Sequence, residues 1–384
     1  MPIGACPTFL DGHCPMSNLS SNWADPIMNI TVAKDEEVTE GHPLSFYLII
    51  IAGVTLSTMT NIGNIMVMLS FKIDRNLQSV TNYFLFSLAV ADMSIGLISI
   101  PFMTYYTAVG SWNIGYTACQ FWLCMDYLMS NASVMNLVLI SIDRYFSVTR
   151  PLTYRPKRTK NKALMMIAST YIISALLWPP WIIGWPYIDG KFTEPDGSCY
   201  IQFLETSPII TFITACCAFY IPILVMTFLY MRVYAVAKRR TKVFGTTFKE
   251  SKKITGGQSV KSTGNQSDVV TTHQDDGEVE KKRKARRPEN KAARTLLAIT
   301  LAFFITWLPY DILVLWEHFN PHSTPAWLWS FSYALCYVNS TLNPICYALG
   351  NPRYRKTYLQ IIKCQWGKRN SSVDWRRSTI DEKI

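Results

Sequence analysis

Hydrophobic positions gather into seven long runs separated by polar stretches, at about 44–70, 80–105, 117–142, 163–188, 207–231, 295–316 and 325–349. Roughly 20 apolar residues suffice for a helix to cross a bilayer core of about 30 Å. The pattern predicts an all-α membrane protein, a seven-transmembrane helix bundle. Beyond the seventh run, Asn351 to Ile362 sets Tyr354, Tyr358, Leu359 and Ile362 at helical spacing among basic residues. This predicts a short amphipathic eighth helix lying on the membrane surface.

Polar residues inside the apolar runs stand out against this pattern. The third run carries Asp126 near one end and Asp143-Arg144 at the other, 18 residues apart. At 1.5 Å per residue that is about 27 Å, close to the hydrocarbon thickness. A carboxylate at membrane depth is costly, so Asp126 is a functional-site candidate. Prolines at 101, 179, 180, 222, 309 and 344 each remove a backbone hydrogen bond and permit a kink.

Charge sets the orientation. Of 37 lysines and arginines, all but Lys34 and Lys191 fall in the 72–75 and 144–162 loops, the 232–295 segment and the tail after 349. Cytoplasmic loops retain such residues, so the amino terminus is expected outside and the carboxyl terminus inside. The net charge of +11 is this asymmetry, which suits anionic lipid and acidic partner surfaces rather than nucleic acid. Residues 1–43 are expected as an extracellular glycosylated tail, with acceptors at Asn18 and Asn29. Residues 44–349 form the membrane domain, and the first run is read as an uncleaved signal anchor. Within the domain, 240–290 is polar and almost free of aromatic residues, so it is expected as a disordered third cytoplasmic loop. Residues 350–384 form the cytoplasmic tail.

Of ten cysteines, Cys119 and Cys199 both fall on the outer side, where a disulfide can persist, and Cys6 and Cys14 are a second possible pair. Cys364 follows the amphipathic stretch and is a palmitoylation candidate.

The chain resembles the rhodopsin-like (class A) G-protein-coupled receptors across its helical part. The matching motifs are Gly63-Asn64, Leu88-Ala-Val-Ala-Asp92, Trp112 before Cys119, Asp143-Arg144-Tyr145, Phe303 with Trp307-Leu-Pro309, and Asn343-Pro344-Ile-Cys-Tyr347. Within that family it is most similar to the muscarinic acetylcholine receptors, through Asp126-Tyr127, the run from Ser130, Ser141 to Tyr154, Cys199-Tyr-Ile-Gln-Phe and Tyr337-Val-Asn-Ser-Thr-Leu-Asn-Pro.

The resemblance implies a ligand site. Acetylcholine carries a quaternary ammonium that cannot donate a hydrogen bond, so a counter-charge and aromatic faces must hold it. Asp126 matches the counter-ion, and Tyr127, Trp307, Tyr310, Tyr333 and Tyr337 match the aromatic cage. Ser130, Asn131, Thr211, Thr214 and Ala218 match the lining beside the ester, and Trp122, Tyr200 and Trp329 match an outer vestibule. Asp311 departs from the pattern, standing where muscarinic receptors have an amide that hydrogen-bonds ester ligands. A further departure is Tyr171, where most of the superfamily has Trp.

Asp92, Ser133, Asn339, Ser340 and Asn343 match an allosteric sodium pocket. Arg144 is expected to pair with Asp143 and Glu289 at rest, and after helix 6 moves out to pack against Tyr230 and Tyr347. A heterotrimeric G protein would then enter, with a lean toward the inhibitory branch. Kinases and arrestin are further expected partners. The expected place is the plasma membrane, with a synapse as one setting. Another amine such as histamine is the alternative ligand. A retinal photoreceptor needs a lysine where Tyr337 stands. No catalytic cluster, cofactor motif or inverted repeat points to an enzyme or transporter.

Overall fold

The computed structural model describes residues 43–192, 197–256, 297–317, 319–320 and 323–365, which all belong to one compact unit. Asn18, Asn29, Cys6, Cys14 and Glu289 lie outside the described residues, so the expectations placed on them do too.

Among the described residues, seven long helices follow the seven runs. α1 is Pro43–Ile73, α2 spans Val80–Val109, α3 is Tyr116–Thr149, and α4 spans Lys160–Asp189. α5 begins at Pro208 and continues to Gly256, α6 spans Leu297–Glu317, α7 is Ala326–Gly350, and a short α8 follows at Pro352–Ile362. α1 to α6 are long and apolar enough to cross a membrane. α7 is long enough and carries no charged residue, although serine, threonine and asparagine lower its hydropathy.

α3 is the axis, packed by α2, α4 and α5. Its 34 residues rise about 51 Å, so it can traverse a bilayer with turns to spare. Side chains such as Ile51, Leu224 and Ile305 stay exposed, as expected when the surrounding solvent is hydrocarbon. Helices of this kind associate through close packing and polar contacts rather than through the hydrophobic effect. The fully buried Asn64 of α1 donates to the Ser340 carbonyl of α7 at 3.1 Å. The neighbouring Gly63 permits this close approach of α1 and α7, because a Cβ there would lie 3.0 Å from the Pro344 ring.

Two prolines act through a specific device. Pro101 follows a π turn at Ile95–Ser99, and Pro222 follows another at Cys216–Tyr220. Each ring would clash with the carbonyl four residues back, at Leu97 or Ala218, and each of these lies inside its π turn. Pro179-Pro180 removes two successive N–H donors, and α4 breaks at Trp178.

Two packed clusters cap the bundle. One gathers Trp112, Trp122, Trp178, Ile182 and Phe203 around the Cys119–Cys199 disulfide, with Trp112 stacked on Trp122 at 5.1 Å. The other joins Phe84, Leu88, Leu137, Phe219, Met226, Phe303 and Tyr347 to Tyr354 and Tyr358 of α8.

Two expectations need correction. α5 stays helical through Gly256, into the stretch from 240 that composition assigned to a disordered loop. Residues 241–256 contain no proline, and an established helix propagates more easily than it nucleates, with Lys242, Lys249, Glu250, Lys252 and Lys253 favouring its continuation. In α8, Tyr354 and Tyr358 turn into the bundle, while Leu359 and Ile362 face outward. The i, i+4 pair shares one face, and Leu359 lies about 100° round the helix from Tyr358.

Candidate ligand pocket and the helix-end network

The pocket is built where α3, α5, α6 and α7 diverge toward the disulfide end. One cavity is lined by Asp126, Tyr127, Ser130, Trp307, Tyr310, Tyr333, Cys336 and Tyr337. Asp126 is 4% exposed, and the Tyr337 hydroxyl donates to its Oδ2 at 3.1 Å. Tyr127 and Tyr310 share a short hydroxyl contact, and Tyr333 donates to Tyr127 at 3.0 Å. The three rings thus form one hydrogen-bonded partition beside the carboxylate.

A second cavity continues toward α5 and shares Tyr127, Ser130, Trp307 and Tyr310 with the first. Asn131, Thr211, Thr214, Ala218 and Asp311 also line it. Every residue assigned from the sequence to the ligand site therefore lines one cavity or both. On the other side of the tyrosine partition lies a larger cavity bordered by Trp122, Tyr200 and Trp329 together with Tyr127, Tyr310 and Tyr333. The sequence reading missed Trp178, Leu204 and Cys336 as lining residues. Trp178 was discoverable, since the double proline after it breaks the helix there. Cys336 and Leu204 carried no signal beyond apolar character.

Hydrogen bonding inside the second cavity is uneven. The Asn131 amide donates to Ser174 Oγ at 2.9 Å, and Ser174 donates onward to the Thr170 carbonyl at 2.8 Å. Thr211 donates to the Phe203 carbonyl at 3.0 Å and Thr214 to the Ile210 carbonyl at 2.8 Å. Asp311 is 7% exposed, and no donor among the described residues reaches its Oδ2.

Below the pocket, Trp307, Phe303 and Phe219 form a column of rings, with centroids 6.0 and 5.7 Å apart. At mid-depth Asp92 is fully buried and accepts from three side chains. Ser133 and Ser340 reach Oδ1 at 3.0 and 2.9 Å, and Asn343 reaches Oδ2 at 2.8 Å. Asn339, grouped with them in the sequence reading, is buried, no donor among the described residues reaches its Oδ1, and it is not among the side chains that bond Asp92. It immediately precedes Ser340, so its side chain projects about 100° away.

At the far end of α3, Asp143 binds a guanidinium, that of Arg158, at 2.8 Å. Thr81 donates to the same carboxylate at 2.8 Å and Tyr154 at 3.1 Å. Arg158 also donates to Thr81 at 2.7 Å, which closes the ring. Sequence reasoning missed Arg158, because it lies 15 residues beyond Asp143 and only the turn over Pro151–Tyr154 returns the chain to it. Arg144 and Tyr145 lie half-buried beside this network, Tyr230 is half-buried on α5, and Tyr347 is buried against Tyr354. Burial and the neighbouring Asp143 carboxylate push the Tyr154 phenol up to about 12, so it keeps the proton it donates. Tyr171 donates to the Ser87 carbonyl at 3.0 Å, joining α4 to α2 in place of the more usual indole.

Comparison with known proteins places this arrangement. The model of the 7 transmembrane receptor (rhodopsin family) matches residues 63–347. The muscarinic acetylcholine receptor gar-3 of Caenorhabditis elegans is 35% identical, over 83% of this chain and 87% of its own length. The human muscarinic acetylcholine receptor M1 is 37% identical over 84% and 89%, and the chicken M2 receptor 36% over 83% and 93%. With the match running from α1 to the end of α7, the chain belongs to the rhodopsin-like receptors and, within them, to the muscarinic acetylcholine receptor family.

Proposed function

We propose that this plasma-membrane receptor is activated by acetylcholine and passes the signal to heterotrimeric G proteins. The observation that carries the reading is the buried Asp126 carboxylate, held by Tyr337 inside a wall of Tyr127, Trp307, Tyr310 and Tyr333. Each cation–π contact there contributes roughly 0.5–2 kcal/mol, so several together with a counter-charge support micromolar recognition. The outer cavity serves as the entry, with Trp122, Tyr200 and Trp329 along it.

Agonist binding shifts a two-state equilibrium only by its differential affinity for the active state. Moving from 1:99 to 99:1 takes about 5.5 kcal/mol of such preference. The ring column beneath the pocket joins α6 to α5 and is suited to couple ligand contact to movement of α6. Arg144, with Glu289 as its resting partner, would then receive Tyr230 and Tyr347 as the G-protein groove opens. The inhibitory branch of G proteins is the favoured one, with kinases and arrestin acting on the loop and tail.

A sodium ion suits the mid-depth knot as an allosteric regulator. Asp92, Ser133 and Ser340 would supply hard oxygen ligands. The amino terminus lies outside with glycans at Asn18 and Asn29, and exposed Cys364 carries a palmitate after α8.

The test is G-protein activation in cells expressing the wild-type chain and Asp126→Asn, across acetylcholine, histamine and other amines, with pertussis toxin as a second arm. Acetylcholine is expected to activate the wild type alone, with potency falling at least 100-fold in the variant and with toxin sensitivity. A response confined to histamine would move the ligand assignment to another amine and leave the mechanism in place.

A further inference from the structure

We propose that the inner cavity, on the α5 side of the pocket, is a subsite for a hydrogen-bond donor. It would select amines whose far end carries an N–H or O–H group. The inference rests on the reading of Asp126 as the ammonium counter-ion and concerns what lies opposite it.

The donor and acceptor inventory is one-sided. Ser174 spends its only proton on the Thr170 carbonyl, so Asn131 must present its amide protons to Ser174 and its Oδ1 is the atom left over. Asn131 is 3% exposed, and no donor among the described residues reaches that Oδ1. The hydroxyl protons of Thr211 and Thr214 are committed to backbone carbonyls, which leaves only their lone pairs for the cavity. Asp311 adds a carboxyl whose Oδ2 is likewise buried and without a donor. Four oxygens that can accept therefore line one cavity. Against them stand two indole N–H groups with no acceptor among the described residues, that of Trp307 on the wall shared with the Asp126 cavity and that of Trp178, and the Ser130 hydroxyl, which lines both cavities and can donate or accept.

A buried acceptor without a donor is costly, and a carboxylate more so, since it has lost its water. A ligand that brings a donor to this wall recovers that cost, and one that brings a methyl group or an ester oxygen does not. The matching ligand has an ammonium at Asp126, an acceptor at Trp307 and a donor toward Asp311 and Asn131. Acetylcholine satisfies the first two and ends in a methyl group. Carbamoylcholine is nearly the same size and charge, and it ends in an NH2 group.

The pair of ligands is therefore the experiment. G-protein activation and displacement of a bound radioligand are measured in cells for carbamoylcholine and acetylcholine, with esterases inhibited and surface receptor counted by an epitope tag. The variants are wild type, Asp311→Asn and Asp311→Leu. The wild type is expected to prefer carbamoylcholine by about tenfold, the scale of a hydrogen bond to a charged group. Asp311→Asn should narrow that ratio toward unity, because the amide oxygen accepts the carbamoyl N–H less strongly than a carboxylate does, while the amide N–H can reach the carbonyl that both ligands carry. Asp311→Leu should narrow it through loss of carbamoylcholine potency. An equal potency of the two ligands at wild type overturns the proposal by itself, whatever the variants do. A wild-type preference that persists in both variants also overturns it. If carbamoylcholine acts and acetylcholine does not, the donor subsite stands and the acetylcholine reading falls. If acetylcholine acts with a ratio that Asp311 does not alter, the reverse holds. Silence of the expressed wild type to both ligands overturns both.

Discussion

Two buried aspartates in the same bundle are treated in opposite ways. Asp92, at the meeting of α2, α3 and α7, accepts from three side chains on two of those helices. Asp311, one turn above Trp307 on α6, has an oxygen that no donor among the described residues reaches. Donors from separate helices converging on one carboxylate hold those helices in register. A carboxyl left unpaired beside a cavity contributes nothing to cohesion and is available to a ligand. The number of internal partners thus separates a structural acid from a recognition acid where burial alone does not, since both are nearly inaccessible.

The sharpest way to break this comparison is to remove each acid in turn. Asp92→Leu strands two hydroxyls and an amide, each costing about 1–3 kcal/mol when buried and unpaired. Thermal unfolding of the detergent-solubilised receptor should show a loss of about 3 kcal/mol or more. Asp311→Leu replaces an unpaired carboxyl with an apolar side chain of similar size. Its stability should match or exceed the wild type, and a fall of more than about 1 kcal/mol would erase the distinction.

Asp143 offers an intermediate case, because its partners include a cation. Arg158→Ala removes the guanidinium and leaves the Thr81 and Tyr154 hydroxyls on that carboxylate. The expected cost is about 1–3 kcal/mol, because a hydrogen bond to a charged group is lost and the anion stays buried. Asp143→Asn, Arg158→Ala together should cost less than the sum of the two single changes, as a double-mutant cycle would read directly.

Tyr154 gives the smallest effect and a definite sign. Its folded pKa is raised above the ordinary phenol value of 10, to about 12. The stabilisation is therefore complete below pH 10 and is lost as pH climbs from 10 through 12. Between pH 6 and 9 this residue should contribute no pH dependence. Tyr154→Phe should remove this residue's share of the alkaline loss, and the difference between wild-type and variant melting curves collected from pH 8 to 12 would check it.

How legible these features were from sequence follows from the kind of physics behind each. The helices were legible because about 20 apolar residues in a row have few alternatives in a bilayer. The Cys119 and Cys199 pairing was legible because both cysteines fall on one side of the membrane. The pocket residues were legible through resemblance, since no periodicity links Asp126 with Tyr337 across 211 positions. The Asp143–Arg158 pair was not, because a short turn and a change of helix direction bring it together. Nor were the π turns, since a proline announces that a helix must adjust but not how. The inward face of α8 was hidden for another reason. Tyrosine suits an interface and a core equally well, and only the position of Tyr347 decides between them for Tyr354.

The π turn at Cys216–Tyr220 separates two registers along α5. Upstream of it stand the cavity-lining Thr211 and Thr214, and downstream the core residue Met226. A π turn holds one residue more than the α-helical turn it replaces, and one residue corresponds to about 100° of rotation. Deleting a single codon within it would swing the threonines off the cavity wall and bring a different set of side chains onto it, with the downstream half undisturbed. The pocket can therefore be rewritten by a change of reading length, without any substitution at the positions that line it.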